Sequence, residues 1–339
     1  MAGTHDPPPS RRPRWLRVVL LGVVGGLLVT GLGYEILLFW MMTGAAQSQV
    51  CCETPKDWGF PDYLEVELAG HGETLTGWFI PGDNGAAVIL LHPGGIHRMG
   101  TANEAKVLAR AGFSVLLYDR RAHGDSTGEI NSYGWLDWQD VPAAVAFLAR
   151  QDGVDPERIG IFGASLGGQV ALRAAASWPE SLRAVWVDGP SLCGVADIPP
   201  RPGEPWKRFG RKLEAHLYTL LMTARTGMAA PPAVVEVIAD VAPNPLVLVA
   251  TEEIEQRVVR HYYQHAGEPK ELWVVPEATH GGAWSARPEE YPRRLVAFFS
   301  DALGVSPRPI EQPASTETPP TTTTDGDDHG IESPPHDPS

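Results

Sequence analysis

The chain predicts an α/β architecture, a mostly parallel sheet of eight strands with helices on both faces and a small helical insertion over the strand ends. Three observations carry that expectation. Short, wholly apolar runs such as Ala87 to Leu91 and Leu246 to Ala250 read as strands buried on both faces. Helix-length segments alternate with these runs, and such alternation builds a parallel sheet through crossover helices. At one junction, Gly163-Ala-Ser-Leu-Gly167, an apolar run turns directly into a helical pattern, and the two glycines leave room for a sharp turn with a serine at its apex.

Arg11, Arg12, Arg14 and Arg17 precede a nearly uninterrupted apolar stretch from Val18 to Leu37. About 20 apolar residues span a bilayer as a helix. Residues 18–42 are therefore expected to form a single-pass membrane anchor, with the basic residues 1–17 cytoplasmic and the remainder beyond the membrane. Cleavage among the small residues Thr43 to Ala46 would instead make the segment a signal peptide and the protein secreted. Glu35 lies close enough to the outer end to reach the headgroups.

Tyr63 to Leu68 and Glu73 to Ile80 read as a hairpin joined through Gly70-His-Gly72, and Pro81 to Gly85 is a turn. Strand Ala87–Leu91 follows, then helix Ala102–Ala111, strand Ser114–Tyr118, helix Trp138–Arg150, strand Arg158–Phe162, helix Gly167–Ser177 and strand Ala184–Val187. The alternation breaks from about 193 to 242, where prolines lead into a helical stretch, Lys207 to Thr226, read as a cap insertion. It resumes with strand Leu246–Ala250, a helix near Glu255–Ala266, strand Glu271–Val275 and helix Tyr291–Leu303. Residues 54–303 thus read as one domain. The segment 306–339, rich in Pro, Thr, Ser and acids, buries too little apolar surface to order itself.

The net charge is −14, yet seven carboxylates after Arg308, with no Lys or Arg among them, supply half of it. The domain is only mildly acidic, so no nucleic-acid partner is expected. Cys51, Cys52 and Cys193 form no disulfide framework and no ligand-spaced cluster, and neither a metal nor a cofactor is expected.

Ser165 is the candidate nucleophile, and a serine hydroxyl needs a base. His280, in Pro276-Glu-Ala-Thr-His280-Gly-Gly, follows the last strand at the sheet end where Ser165 emerges. The imidazole needs a carboxylate in turn. Glu252, Glu253 and Glu255 compete in the loop after Leu246–Ala250, and Asp188 ends the strand after the nucleophile helix. Glu253 is chosen because it precedes the helix, with Glu255 next. The N–H of Leu166, at the helix start, and that of Gly94, in Leu91-His-Pro-Gly-Gly95, are the candidate oxyanion donors. Tyr118 to Ser126 reads as a structural turn in which Asp119 and Arg120 pair locally.

These motifs resemble the α/β-hydrolase superfamily, in particular its prolyl-oligopeptidase-like and monoacylglycerol-lipase-like serine hydrolases with an N-terminal anchor. The likeness spans about Thr54 to Leu303 and rests on Leu75-Thr-Gly-Trp-Phe-Ile80, Leu90-Leu-His-Pro-Gly-Gly95, Tyr118-Asp-Arg-Arg-Ala-His-Gly124, Gly163-Ala-Ser-Leu-Gly167 and Glu271 to His280. The order Ser, acid, His is the family's order. Two departures are Pro93 after His92, where the family has Gly, and an acid loop without the usual Asp. The resemblance implies a serine hydrolase that cleaves an ester, thioester or amide through an acyl-enzyme, esterase-like or lipase-like, on a small-molecule or lipid-like acyl substrate. The alternative is a hydrolase-fold binding or scaffold protein without turnover, suggested by the irregular acid loop.

Overall fold

The computed structural model describes residues 14–46, 48, 50, 52–200 and 205–309. Most of the basic N-terminus, Cys51 and tail residues 310–339 lie outside the described residues. Helix α1 (Arg14–Met42) leads into strands β1 (Leu64–Ala69), β2 (Thr74–Ile80) and β3 (Ala87–Leu91). Then come α2 (Ala102–Arg110), β4 (Ser114–Tyr118), α3 (Val141–Leu148), β5 (Ile159–Ala164), α4 (Leu166–Ser177) and β6 (Ala184–Asp188). Helices α5 (Pro205–Thr226) and α6 (Val234–Val237) precede β7 (Leu246–Ala250), α7 (Glu253–His265), β8 (Lys270–Val274), α8 (Ala283–Ala286) and α9 (Glu290–Leu303).

The eight strands form one sheet in the order β1-β2-β4-β3-β5-β6-β7-β8. The first hairpin and the β2–β4 pair are antiparallel; all other pairs are parallel. The expected fold class is the observed one. Side chains alternate across a strand, so each apolar run feeds two cores. Ala87, Ile89 and Leu91 enter the core that contains α3, α4 and α7, while Val88 and Leu90 enter the one with α2 and α9. β7 divides the same way, with Leu246, Leu248 and Ala250 on one face and Val247 and Val249 on the other. This two-sided burial is why the strands were legible as unbroken apolar runs. Gly160, in β5, is required by packing: a Cβ there would lie 2.7 Å from the Phe299 ring of α9.

Within 193–242, Tyr218, Leu221 and Met222 of α5 pack with Phe39 and Trp135, whereas Val234, Ile238 and Val241 are buried in the α4 core. Among the described residues no helix is long and apolar enough to cross a membrane. Within α1, the side chains of Leu16, Val18, Leu20, Val24, Leu27 and Leu28 lie outside the described set. The described part of α1 splits in two. Val19, Leu21, Val23, Val29 and Leu32 are exposed, but the last turns dock on the domain, where Phe39 is buried with Trp135 and Met222. Phe39 meets Tyr218 of α5 edge-on at 5.8 Å, and the Arg225 guanidinium lies 3.9 Å above the Trp40 ring. Short bridges pair Gly44 with Ile130 and Ala46 with His123 and continue the attachment. Beyond α9, Arg308 ties the chain back through its N–H to the Ala111 carbonyl, 2.9 Å, and through its side chain to Asp83.

Candidate active site

β5 runs into α4 with no intervening loop, and Ser165 sits between them at φ 51°, ψ −113°. A non-glycine residue at positive φ is strained and persists only where its surroundings hold it. Here the Ser165 N–H donates to the Asp188 carbonyl at 2.7 Å, and its own carbonyl accepts from Gly168 and Ser191 at 3.0 and 3.2 Å. The flanking glycines are spatial requirements: a Cβ on Gly163 would lie 2.3 Å from the Gly167 carbonyl oxygen, and one on Gly167 2.3 Å from that of Leu91. The elbow read in the sequence is therefore formed, with Oγ displayed at the carboxyl end of the central strand.

His280 lies on the turn after β8, and its Nε2 is 2.9 Å from Ser165 Oγ. Its Nδ1 is 2.5 Å from Glu255 Oε2. Nδ1–H therefore donates to the carboxylate, leaving Nε2 to accept from the serine. Glu255 is buried, its side chain 5% exposed, and its other oxygen accepts the Thr251 N–H at 2.7 Å. Gly189 makes this placement possible: at φ +56°, it would put a Cβ 2.9 Å from Glu255 Oε2. The hydrogen bond to Glu255, partly opposed by burial, raises the His280 pKa above its ordinary value.

Three carboxylates considered for this role are elsewhere. Glu253, the expected acid, points into solvent, its side chain 85% exposed, and pairs with Arg257 one turn on at 3.5 Å. The correction is rotational. Successive helical residues turn by about 100°, so the second position beyond Glu253 faces the opposite way, toward the histidine. Glu252 is exposed at the start of α7 and acts on His280 through charge alone. Asp188 is buried behind the elbow, one oxygen accepting from Tyr291 Oη at 2.9 Å, and burial pushes its pKa up to about 6.

Gly94 and Leu166 lie together beside Ser165, close enough that a Cβ on Gly94 would sit 3.2 Å from Leu166 Cδ2. Leu166 opens α4, where N–H groups lack intrahelical acceptors. Pro93 leaves this turn well braced. Arg120, fully buried, donates from Nε to the His92 carbonyl and from Nη2 to the Pro93 carbonyl, both at 3.2 Å. His92 Nε2 accepts the Arg120 N–H at 2.9 Å, so its Nδ1–H donates to the Pro93 carbonyl at 2.7 Å. Burial holds this imidazole neutral, its pKa well below the usual value.

Asp119 and Arg120 do not pair with each other as expected. Arg120 meets Asp137 at 2.5 Å, whereas Asp119 faces Arg98 at 3.4 Å, because adjacent residues at the end of β4 point to opposite faces. Sequence reasoning missed the bracing role of Arg120. The Arg120-Arg121 pair in an otherwise apolar sheet region, with Asp137 and Asp140 downstream, was the available signal, since buried guanidinium groups require carboxylates.

Ser165, Gly94 and Leu166 open on a cavity of about 920 Å³. It is mainly apolar and lies under α5, with Glu35, Arg211, Glu214 and Arg257 as charged members of its lining.

The sequence profile described as the alpha/beta hydrolase fold matches residues 87–248. YfhR of Escherichia coli (strain K12), itself uncharacterized, is 30% identical over 254 residues, or 69% of this chain and 79% of its own. The chain belongs to the α/β-hydrolase fold family. Another relative in that family's range of similarity is Rv2307c of Mycobacterium tuberculosis (strain H37Rv), 32% identical across 62% of this chain and 69% of its own. Among solved structures, the esterase Pf2001 of Pyrococcus furiosus superposes with a TM-score of 0.59 at 26% identity, over 76% of this chain and 100% of that one. Within the α/β-hydrolase fold, then, the serine, histidine and glutamate meet at the carboxyl edge of the sheet, the position where open α/β sheets bind ligands.

Proposed function

We propose that the protein is a serine hydrolase of carboxylic esters, acting through an acyl-enzyme. The observation that carries this reading is the hydrogen-bonded relay from Glu255 through His280 to Ser165 at the mouth of an apolar cavity. Ser165 Oγ attacks the ester carbonyl as its proton passes to His280 Nε2, and the imidazolium is stabilised by Glu255. The Gly94 and Leu166 N–H groups receive the oxyanion. The tetrahedral adduct collapses to an ester on Ser165 as the alcohol leaves with the proton from His280. Water then adds to the acyl carbonyl as it gives a proton to the same nitrogen, and the acid leaves as the bond to Ser165 breaks and that proton returns to Oγ. The esterase Pf2001 supports the bond type. The scaffold alternative was suggested by an acid loop without the usual Asp, and the hydrogen bond from His280 to Glu255 supports the hydrolase reading over it.

The residues 54–303 form the catalytic domain in this reading, with 193–242 as its insertion. Residues 18–42 hold it to the cell membrane, N-terminus inside and catalytic domain outside. The full-length protein is expected to react with a fluorophosphonate and to hydrolyse p-nitrophenyl esters, both abolished by Ser165→Ala. Absence of labelling and turnover in the wild type would discard the hydrolase reading.

A further inference from the structure

A membrane anchor needs only to be apolar, yet the end of α1 is built into the domain. Leu38, Phe39 and Met42 line the same cavity as Ser165. On the facing side the lining comes from α5, through Ala215, Leu217, Tyr218 and Leu221. The two walls are fastened together by the Phe39–Tyr218 and Trp40–Arg225 ring contacts and by burial of Met222. The volume, about 920 Å³, lies within the range of small-molecule pockets, roughly 300–1,000 Å³.

The outer face of α5 is also unusual. Phe209, Leu213 and Leu220 are 63%, 60% and 65% exposed, and at 100° per residue they fall on one stripe, shared with exposed His216, on the side away from the cavity-lining Tyr218. Together with exposed Leu37 and Met41 at the end of α1, these side chains put several large apolar groups on the exterior beside the cavity, which water does not favour. A lipid surface covers such a patch without cost, and the cavity lies directly beneath it.

Resting on the hydrolase reading, we infer that the substrate is a long-chain acyl ester drawn from the bilayer, with its acyl chain laid between α1 and α5, so that the anchor helix is itself a wall of the acyl site. Filling that space with an indole should then penalise long acyl chains selectively. The full-length protein in phospholipid vesicles is expected to favour p-nitrophenyl palmitate over the acetate. Leu38→Trp and Ala215→Trp are each expected to lower the palmitate-to-acetate ratio of kcat/KM by at least about tenfold, the scale on which apolar pockets discriminate by length. Leu21→Trp, on the exposed part of α1, should leave that ratio in place.

A second measurement depends on no variant. A fluorophosphonate with a long alkyl tail ending in a diazirine, bound to Ser165 and photolysed, should crosslink to peptides within 14–42 and 205–226. A ratio unmoved by Leu38→Trp, a wild-type preference for acetate, or crosslinks confined to other segments would each overturn the acyl-site inference while leaving Ser165 hydrolysis standing. No labelling at all would instead sink the hydrolase reading on which it rests.

Discussion

Glu255 holds His280 from within the first turn of α7, with one oxygen committed to the ring and the other to the Thr251 N–H. That double engagement leaves the carboxylate no alternative geometry. It also defines the pH response. In the proposed hydrolysis His280 is a base only when neutral, and its pKa lies above the ordinary histidine value because its hydrogen bond to the ionised Glu255 favours the imidazolium. Activity should therefore be lost as pH falls through that raised pKa and should level off above it. Glu255→Gln removes the charge that raises it, so the acidic limb of the kcat/KM profile should move to lower pH while kcat falls by about 10⁴-fold, as in other triads missing their acid. Glu253→Gln, changing a solvated side chain, should move neither. An acidic limb unaffected by Glu255→Gln would remove Glu255 from the relay.

At the scale of elements, the turn after β3 depends on a side chain from the end of β4. Arg120 binds two carbonyls of that turn and one carboxylate, Asp137, with three different nitrogens. Lysine keeps the charge but cannot reproduce the planar fork. Arg120→Lys is expected to loosen the Gly94 turn and to lower kcat about 10²–10³-fold, the loss associated with one oxyanion donor, with a smaller change in KM. A change in KM alone would show that the turn binds substrate without serving the transition state. Elements were the most legible level of the sequence. Strands β3 and β7 fall where their apolar runs were read because burial on both faces leaves no polar residue to blur the ends. The elbow was legible because Gly163 and Gly167 answer to backbone contacts that allow no side chain. What spacing along the chain does not convey is rotation about a helix axis, and that separates Glu253 from Glu255.

For the whole molecule, the attachment of α1 is the feature that a linear reading concealed. Its apolar residues satisfy a bilayer and a protein core equally, so nothing in the composition of Phe39 or Trp40 reveals that they meet Tyr218 and Arg225. Phe39→Ala in the full chain should uncouple the two parts. Hydrogen exchange is expected to rise through α5, whose buried contacts are few, while the strands β3 to β7 stay protected by the two main cores. Uniform protection after that change would mean that α5 is held by the sheet alone.

The wall at Leu38 and Met42 is translated well before the elbow, and His280 well after it. Domains fold as their residues emerge from the ribosome. A site gathered from segments this far apart is incomplete until His280 has been made, so Ser165 stays without its base on the growing chain. The relay to Ser165 therefore closes only long after α1, which borders the cavity, has left the ribosome.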